Sequence, residues 1–379
     1  MSVAVTKAGP YYASGQIKFS SLRSNFRAQV RKETSGGSET FNTDNAAIKA
    51  SELLRNITNT NTNPVVPNAT ENSSIATSSN WKSSQFRNSI KYYYITQSGT
   101  DTNLDIDAQS WNTNLTNNTV KVAFIDGTCG SSSVNSVAAD FNATAYNLTI
   151  DVYGNIFGCG GRGGGTTGAP DPSGEAGGDA LGMASSGGNN VNVLVRSSGK
   201  IYGGGGGGER GAKGADGSGG RCREETIQQN CGSDPGCPGG FSSQGSWGGR
   251  CCRSRCGSPC WSCCEQCTAN IRYTRCVKEY NTSGGTGGVG GKGGPGRGYN
   301  NQSGSLSGAA GAGGSGGGGC GATSGATGET GGAGGDWASA GGNTNNSGSG
   351  GANGRAITGS NYSVSGTINS STVKGAYRP

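Results

Sequence analysis

A strict three-residue glycine period across residues 284–298 constrains the fold more than any other feature of the sequence. Thr286, Val289, Lys292 and Pro295 occupy every third position, and glycine fills the positions between them. In a left-handed polyproline-II helix, which has three residues per turn, those side chains fall along one edge, and bare glycine on the other edges lets backbones approach closely. Because such a helix has no internal hydrogen bonds, its amides must pair with neighbouring segments. The period therefore predicts a bundle of glycine helices that needs few hydrophobic side chains.

The composition supports an unconventional core. Glycine supplies 76 of the 379 residues, and only 31% of the chain is hydrophobic. Globular domains carry roughly 45–50% apolar residues with glycine included, which is about 40% without it. The competing interpretation is disorder. Periodic glycine runs flanked by strand-like segments favour an ordered fold.

Charge and histidine content exclude several function classes. The net charge of +7 comes from only 14% charged residues, which is too weak and scattered to predict nucleic-acid binding. An RNA binder would show repeated Arg-Gly-Gly boxes, and only scattered Gly-Arg pairs occur. Histidine is absent, which removes the commonest general base and nucleophile partner. We predict no enzymatic activity; a depolymerase would need a carboxylate pair, and solvated loop charges explain the nearest cluster, Asp101, Asp105 and Asp107, better.

The cysteine content predicts a protein that acts outside the cell, although the sequence shows no secretion signal. No run of eighteen apolar residues occurs, so no membrane insertion is predicted. The N-terminal residues lack a hydrophobic signal core, yet the chain has 14 cysteines, which is unusual for a cytosolic protein. Synthesis in the cytoplasm followed by use outside it reconciles these observations.

The first 147 residues divide into two predicted regions. Residues 1–57 contain an internal echo, in which 17–23 (IKFSSLR) matches 48–55 (IKASELLR). Each copy predicts a short helix capped by serine, over 21–31 and 52–57. This region is a small structural subdomain or an attachment module for a partner protein. Residues 58–147 predict a small β-domain that follows a linker at 58–80, with alternating strands at 89–96 and 120–125.

A longer repeat opens the glycine-rich region. Residues 147–161 align with residues 192–206, and each copy is an alternating strand, a turn at Gly154 or Gly199, then Ile-aromatic-Gly leading into a glycine run. A third, looser relative is 356–359, followed by a strand-like stretch at 362–368. The repeat predicts a strand that packs its side chains before the chain enters a glycine helix.

An insert at 221–280 interrupts the glycine-rich region. Its few aliphatic residues and many cysteines predict disulfide staples. The cysteines are Cys222, Cys231, Cys237, Cys251, Cys252, Cys256, Cys260, Cys263, Cys264, Cys267 and Cys276. Their odd number leaves one free or paired with Cys129, Cys159 or Cys320. The two C-x-x-C spacings also fit a zinc site at Cys260, Cys263, Cys264 and Cys267, the alternative to disulfides; no other cofactor is predicted.

The glycine-rich region resembles a known family. The strand–Gly–Ile-aromatic–Gly units at 148–165 and 193–208, Gly-Gly-Asp-Trp at 334–337 and Gly-Arg-Ala-Ile-Thr-Gly at 354–359 are similar to the glycine-rich adhesins, or receptor-recognition proteins, that tip the long tail fibres of T-even-like bacteriophages. The resemblance covers about 148–379 less the insert. It implies a sandwich of polyglycine-II helices whose distal loops bind a receptor on the bacterial surface.

These observations combine into one prediction. The fold class is mostly irregular and all-β: an N-terminal α+β attachment region (1–57), a small β-domain with its linker (58–147) and a polyglycine-II sandwich (148–379) that carries the Cys-rich insert (221–280). The function is that of a bacteriophage tail-fibre or tail-tip adhesin, made in the host cytoplasm and acting outside it on the virion. The alternative is a purely structural virion component of the tail, baseplate or capsid surface.

Partners and site residues complete the prediction. We expect other phage tail or fibre proteins and a bacterial surface receptor, either protein or polysaccharide, as partners, and neither nucleic acid nor membrane insertion. Aromatic residues and arginine dominate binding interfaces, and in the insert they either contact the receptor or fill a small core. The receptor-binding candidates are Phe241, Trp247, Arg250, Arg253, Arg255, Trp261 and Tyr273.

Overall fold

The protein is nearly all-β, as the sequence predicts. A computed structural model describes residues 3–9, 11–22, 31–33, 39–41, 53, 66, 70–78, 82–107, 121–141, 147–165, 171–184, 190–231, 234–250, 270–301 and 320–377. Within these ranges, helix is confined to residues 19–22 and to short 3-10 turns such as Thr70–Asn72 and Ser83–Phe86. None of the helical segments among them has the length and apolar content needed to span a membrane.

The described strands are short except in one region near residues 220–282. In chain order they are β1 (Thr6–Lys7), β2 (Arg31–Glu33), β3 (Glu39–Phe41), β4 (Tyr93–Gln97), β5 (Thr100–Thr102), β6 (Leu104–Asp105), β7 (Lys121–Ile125), β8 (Thr128–Gly130), β9 (Ala139–Phe141), β10 (Asn147–Val152), β11 (Asn155–Phe157), β12 (Leu181–Met183), β13 (Asn190–Val195), β14 (Lys200–Tyr202), β15 (Gly220–Cys231), β16 (Ser242–Arg250), β17 (Asn270–Thr282), β18 (Ile357–Thr358), β19 (Tyr362–Gly366) and β20 (Val373–Lys374).

The chain forms two compact units. The first unit consists of Met1–Gly211, Lys292–Ala309 and Thr330–Pro379, and the second, here called the insert unit, consists of Ala212–Gly291 and Ala310–Glu329. The domain boundaries at 57 and 147 stay a prediction. The six-stranded sheet of the first unit takes strands from all three predicted ranges, because β1, β4 and β10 all belong to it.

The first unit contains a three-sided parallel β-solenoid. Its sheets have the strand orders β4-β7-β10-β13-β19, β5-β8-β11-β14-β20 and β6-β9-β12-β18, and β1 adds to the first sheet antiparallel to β4. All other pairings in these sheets are parallel. The chain therefore visits the three sheets in turn, and successive coils stack strand upon strand.

Matching apolar positions of successive coils stack inside the solenoid. In the first sheet, Ile95, Ala123, Ile150 and Val193 stand in register and all are buried. Each fully buried Ile or Val contributes about 1.5–3 kcal/mol. Val122 and Phe124, from the predicted alternating strand at 120–125, lie on the opposite face of this sheet. There they form a separate buried cluster with Tyr92. Strands of a parallel sheet that is covered on both faces carry apolar residues on both.

The long repeat corresponds to two adjacent coils, with one correction to the predicted alignment. The second strands pair as aligned, Asn155 with Lys200. The first strands pair two residues out of the predicted register, since Asn147 lies opposite Asn190 and not Asn192. A shift of two leaves every side chain on its own face. The longer turn before Lys200 absorbs the two residues.

All glycine-rich segments leave the solenoid at the corner between its second and third sheets. That corner is a short connection at 131–138 in one coil, becomes residues 158–180 in the next, and expands to 203–356 in the coil after that. Most of the glycine backbone there carries no strand assignment, yet it is regularly hydrogen-bonded.

The central glycine segment, 203–209, is hydrogen-bonded to six others within the first unit. Its amides donate to three of these segments, and every third amide donates to the same one. Its carbonyls accept from the other three segments with the same three-residue spacing. Gly204 and Gly207, for example, donate to Gly178 and Glu175. The six surrounding segments are 158–164, 174–178, 292–297, 331–335, 339–342 and 350–354. A segment enclosed on every side has no edge for a side chain, which explains six consecutive glycines at 203–208.

Residues 284–298 follow the predicted three-residue period of exposed side chains and buried glycines. Thr286, Val289, Lys292 and Pro295 are exposed, whereas the glycines between Thr286 and Pro295 are buried. Each spaced side chain therefore lies along the one edge that has no neighbouring backbone, as predicted.

The N-terminal residues contribute a second hydrophobic cluster. Leu22 and Leu53, which occupy equivalent positions of the internal echo, are both buried together with Val66, Ile75 and Phe86. Of the predicted helix at 21–31, residues 21 and 22 are helical, but Arg31 is the first residue of strand β2, so the prediction is wrong at that end. Of the predicted helix at 52–57, only residue 53 is described.

The insert unit is built on a three-stranded antiparallel sheet of order β15-β17-β16. Glycine segments beside the sheet are hydrogen-bonded every three residues; Gly285 and Gly288 donate to Thr323 and Ala326. Among the described residues of this unit, two disulfides form, Cys222–Cys320 and Cys237–Cys276. Disulfides and hydrogen bonds between glycine backbones thus stabilise the insert unit in place of a large hydrophobic core.

Candidate functional site

One face of the insert sheet presents an aromatic pair, in which Trp247 is exposed and Tyr273 is half-buried. Trp247 on β16 lies directly opposite Tyr273 on β17, and their rings stack with centroids 5.5 Å apart and an angle of 16° between planes. Trp247 is 45% exposed, and Ile227 of β15, opposite Arg275 on the same face, is 57% exposed. Directly opposed residues of antiparallel strands share a face, so this surface, here called the aromatic face, combines rigid rings with an exposed aliphatic group.

Charges of opposite sign balance on the aromatic face, and two of them form an ion pair. Arg275 Nη2 donates to Glu225 Oε2 at 2.7 Å, and Arg275 Nε donates to Glu225 Oε1. These hydrogen bonds lower the pKa of Glu225 and raise that of Arg275. Arg223 stands opposite Glu279 on the same two strands. The aromatic face therefore carries two arginines and two glutamates, with no excess charge among these four.

The opposite face of the sheet holds a different cluster. Lys278 Nζ lies 5.8 Å from the ring centroid of Phe241 and 5.3 Å from that of Tyr280. The Tyr280 hydroxyl donates to Glu224 Oε1 at 2.9 Å, which raises the tyrosine pKa. Phe241 and Tyr273 thus lie on opposite faces, so the predicted candidates do not form one patch.

The other predicted receptor-binding residues lie in the sequence from the end of β16 to the start of β17. Arg250 is the last residue of β16. Arg253, Arg255 and Trp261 lie outside the described residues. Their part in binding stays a prediction.

The structure describes four of the predicted cysteine and metal candidates. Cys222, Cys237 and Cys276 form disulfides, and Cys222 takes its partner, Cys320, from outside the predicted insert. Cys231 ends β15. Outside the described residues lie Cys251, Cys252, Cys256, Cys260, Cys263, Cys264 and Cys267, and with them the candidate zinc site. Cys129 and Cys159 are buried free thiols whose pKa values burial raises to about 12 and about 11.

A loop at 343–349 caps the central glycine segment, and sequence analysis did not identify it. Glu209 is fully buried, and its carboxylate accepts hydrogen bonds from the amides of Thr344 at 2.7 Å and Gly348 at 2.8 Å. The next residue, Arg210, donates to Asp171 at 2.9 Å. The sequence signal for this cap is the acidic residue directly after six glycines. A carboxylate that is buried there needs hydrogen-bond donors from another segment.

Two motifs of the sequence analysis meet in an aromatic cluster. The Trp337 ring of Gly-Gly-Asp-Trp lies 4.8 Å from Phe157 and 5.6 Å from Tyr202, the aromatic residues of the two repeat copies. Phe157 and Tyr202 are 5.5 Å apart. Asp336 accepts from Arg297 at 2.9 Å, which lowers the pKa of this aspartate. The cluster packs where the second solenoid sheet continues into the glycine segments and stabilises that transition.

Comparison with known proteins yields two similarities. A family model described as phage tail fibre adhesin Gp38 matches residues 91–259, somewhat under half of the chain. A crystal structure of the gp37-gp38 adhesin tip complex of the bacteriophage S16 long tail fibre is 21% identical over 80% of this chain and 88% of that chain, with a TM-score of 0.35. No curated protein matches the chain.

Proposed function

We propose that the chain is a phage tail-fibre adhesin that binds a receptor on the host cell surface. The match of the tail fibre adhesin family model to residues 91–259 carries this proposal. The matched range includes three complete coils of the solenoid, the first two strands of the fourth, the central glycine segment and the first two strands of the insert sheet. The protein would be a virion component, attached to other tail or fibre proteins through its N-terminal residues 1–57.

The glycine network, in this proposal, is a lattice of polyglycine-II helices. The hydrogen bonds that recur every three residues around 203–209 support it, because a helix with three residues per turn returns each amide to the same neighbour after one turn. The six-neighbour arrangement leaves no room for side chains: a Cβ on Gly206 would lie 1.9 Å from the carbonyl oxygen of Gly351. Such a lattice is a rigid scaffold, so the sequences of loops and inserts can vary without disturbing the core.

Receptor contact would come from exposed elements of the two units. The aromatic face of the insert sheet is the first candidate, with Trp247 and Tyr273 as central residues and Arg250, Arg253, Arg255 and Trp261 around the adjoining connection. Phe241 belongs to the opposite face. The loop at 343–349, fixed by Glu209, is a second candidate because it presents exposed Asn343, Asn345 and Ser347.

Binding of the labelled full-length protein to a panel of Gram-negative and Gram-positive strains tests the proposal. We expect saturable binding to a narrow set of strains. The double variant Trp247→Ala/Tyr273→Ala should lose most of that binding, while Thr286→Ala, an exposed position on a glycine segment of the same unit, should retain it. A protein that binds no strain would favour the purely structural virion component.

Equal binding by the double variant and the wild type would leave the adhesin function standing and move the receptor site elsewhere. The same assay on Asn343→Ala/Asn345→Ala would then test the loop at 343–349. Circular dichroism and thermal melting of every variant exclude loss of folding as the cause.

A further inference from the structure

We propose that the aromatic face of the insert sheet binds an uncharged polysaccharide. This inference rests on the proposed adhesin function and names the chemical class of its receptor. The stacked rings of Trp247 and Tyr273 would pack against the C–H face of a pyranose, and the Arg275–Glu225 pair would hydrogen-bond its hydroxyl groups.

The geometry of the rings suits a sugar. They are nearly parallel and stacked on neighbouring strands of the sheet, and aromatic side chains lose little conformational entropy on binding because each has two rotatable torsions. An exposed ring face accepts weakly polarised C–H groups. Ile227 extends the apolar surface beside the stacked rings.

The polar groups beside the rings have spare hydrogen-bonding capacity. Arg275 directs two N–H donors to Glu225, and a guanidinium has five. The Glu225 carboxylate has about four lone-pair sites. Because each charge stabilises the other, both side chains are held in place before a ligand arrives, which lowers the entropy cost of ordering them.

Charge balance selects an uncharged ligand over an anionic one. Arg223 lies opposite Glu279, and Arg275 is paired with Glu225. A phosphate-rich or uronic-acid polymer would require unpaired arginines and would meet two carboxylates on this face. The residues of this face are spread over three strands, so the face suits successive sugars of a polymer and not a single enclosed monosaccharide.

The first test separates the receptor's chemistry from the adhesin function. Labelled full-length protein is bound to a positive strain after the cells are treated with periodate, which cleaves vicinal diols of sugars, or with proteinase K. We expect periodate to abolish binding and protease to leave it intact. The opposite pattern would overturn the polysaccharide proposal while leaving an adhesin for a protein receptor, and binding to no strain at all would overturn the adhesin function itself.

The second test locates the site. Polysaccharide purified from the positive strain is titrated into the full-length protein and its variants. Trp247→Ala should weaken binding at least about tenfold, equivalent to about 1.4 kcal/mol, and Trp247→Phe should recover part of it. Tyr280→Ala, on the opposite face of the same sheet, is the matched control and should bind as the wild type does. Equal weakening by Tyr280→Ala, or none by Trp247→Ala, would refute the assignment to the aromatic face.

Discussion

Arg196 and Asp151 form a buried, bidentate ion pair that joins two successive coils of the solenoid. Arg196 Nε donates to Asp151 Oδ1 at 2.7 Å and Nη2 donates to Oδ2 at 2.9 Å. The guanidinium carbon also lies 5.1 Å from the ring centroid of Tyr153. The pair forms because Arg196 directly follows β13, two residues beyond Leu194, which lies opposite Asp151 on the neighbouring strand. Residues two apart on a strand share a face.

Removing one member of this pair should destabilise the solenoid strongly. Arg196→Met leaves the fully buried carboxylate of Asp151 without its guanidinium, and breaking a buried pair in this way costs about 3–5 kcal/mol. Urea denaturation measures the loss. The double variant Arg196→Met/Asp151→Leu should recover part of it, because no buried charge remains; an equal or greater loss in the double variant would contradict this account.

A side chain introduced at any of the six consecutive glycines 203–208 should be severely destabilising. In Gly206→Ala, the new Cβ would lie 1.9 Å from the Gly351 carbonyl oxygen, and backbone cannot yield as a flexible side chain does. We expect a loss of more than about 4 kcal/mol, measured by thermal melting and soluble yield. Gly99→Ala is the matched control, since a Cβ at Gly99 meets no atom within 4 Å, and it should change stability by less than about 0.5 kcal/mol.

Trp337 should contribute to stability through its two aromatic neighbours. Because Trp337→Ala removes its ring contacts with Phe157 and Tyr202, and the ring is only half-buried, we expect a loss of about 2–3 kcal/mol, below the range for fully buried tryptophan. Trp337→Phe should retain most of the stability. A melting temperature of Trp337→Ala equal to that of the wild type would show that the cluster has no structural role.

Stability should rise with pH above neutrality because of Lys91. Burial lowers the pKa of this lysine to about 7, below its value in the unfolded chain. Between pH 7 and about 10.4, the model-peptide pKa, the unfolded state therefore binds more protons than the folded state. The resulting penalty is complete below pH 7 and is relieved as pH rises.

Melting temperatures measured from pH 6 to 8.5 check this dependence, in a range that stays below the ordinary pKa of cysteine. The wild type should gain stability from pH 7 to 8.5. Lys91→Met should show a shallower rise and higher stability at pH 6. Parallel pH profiles of the two proteins would assign the pH dependence to other groups, including Lys121, whose pKa burial lowers to about 8.

The Cys222–Cys320 disulfide should stabilise the insert unit in particular. It joins residues 98 positions apart, and the chain-entropy account assigns about 4.7 kcal/mol to a loop of this length. Cys320→Ser should therefore increase proteolytic cleavage within 212–291 in a limited trypsin digest. The double variant Cys222→Ser/Cys320→Ser should behave alike, whereas unchanged digestion would show that the glycine contacts suffice.

The sequence by itself determined the local elements of this protein. Alternating apolar residues predicted the solenoid strands β4, β7, β10, β13 and β19, since period-two patterning is a local property. Most of the other solenoid strands, which are two or three residues long, were not predicted because so short a run carries no alternation. The three-residue period of Thr286, Val289 and Lys292 predicted which side chains face outward, because glycine elsewhere is required wherever backbones touch.

Only the tertiary structure decided how these elements associate. Ile95, Ala123, Ile150 and Val193 stack in one row although they come from four coils, and no local pattern states which strand lies beside which. The two-residue shift between β10 and β13 was also undetermined, since a shift by an even number preserves the faces. The stacking of Trp247 on Tyr273 and the capping of the central glycine segment by Glu209 likewise depend on residues that the chain brings together only after long connections, so their energies are set by packing and not by sequence spacing.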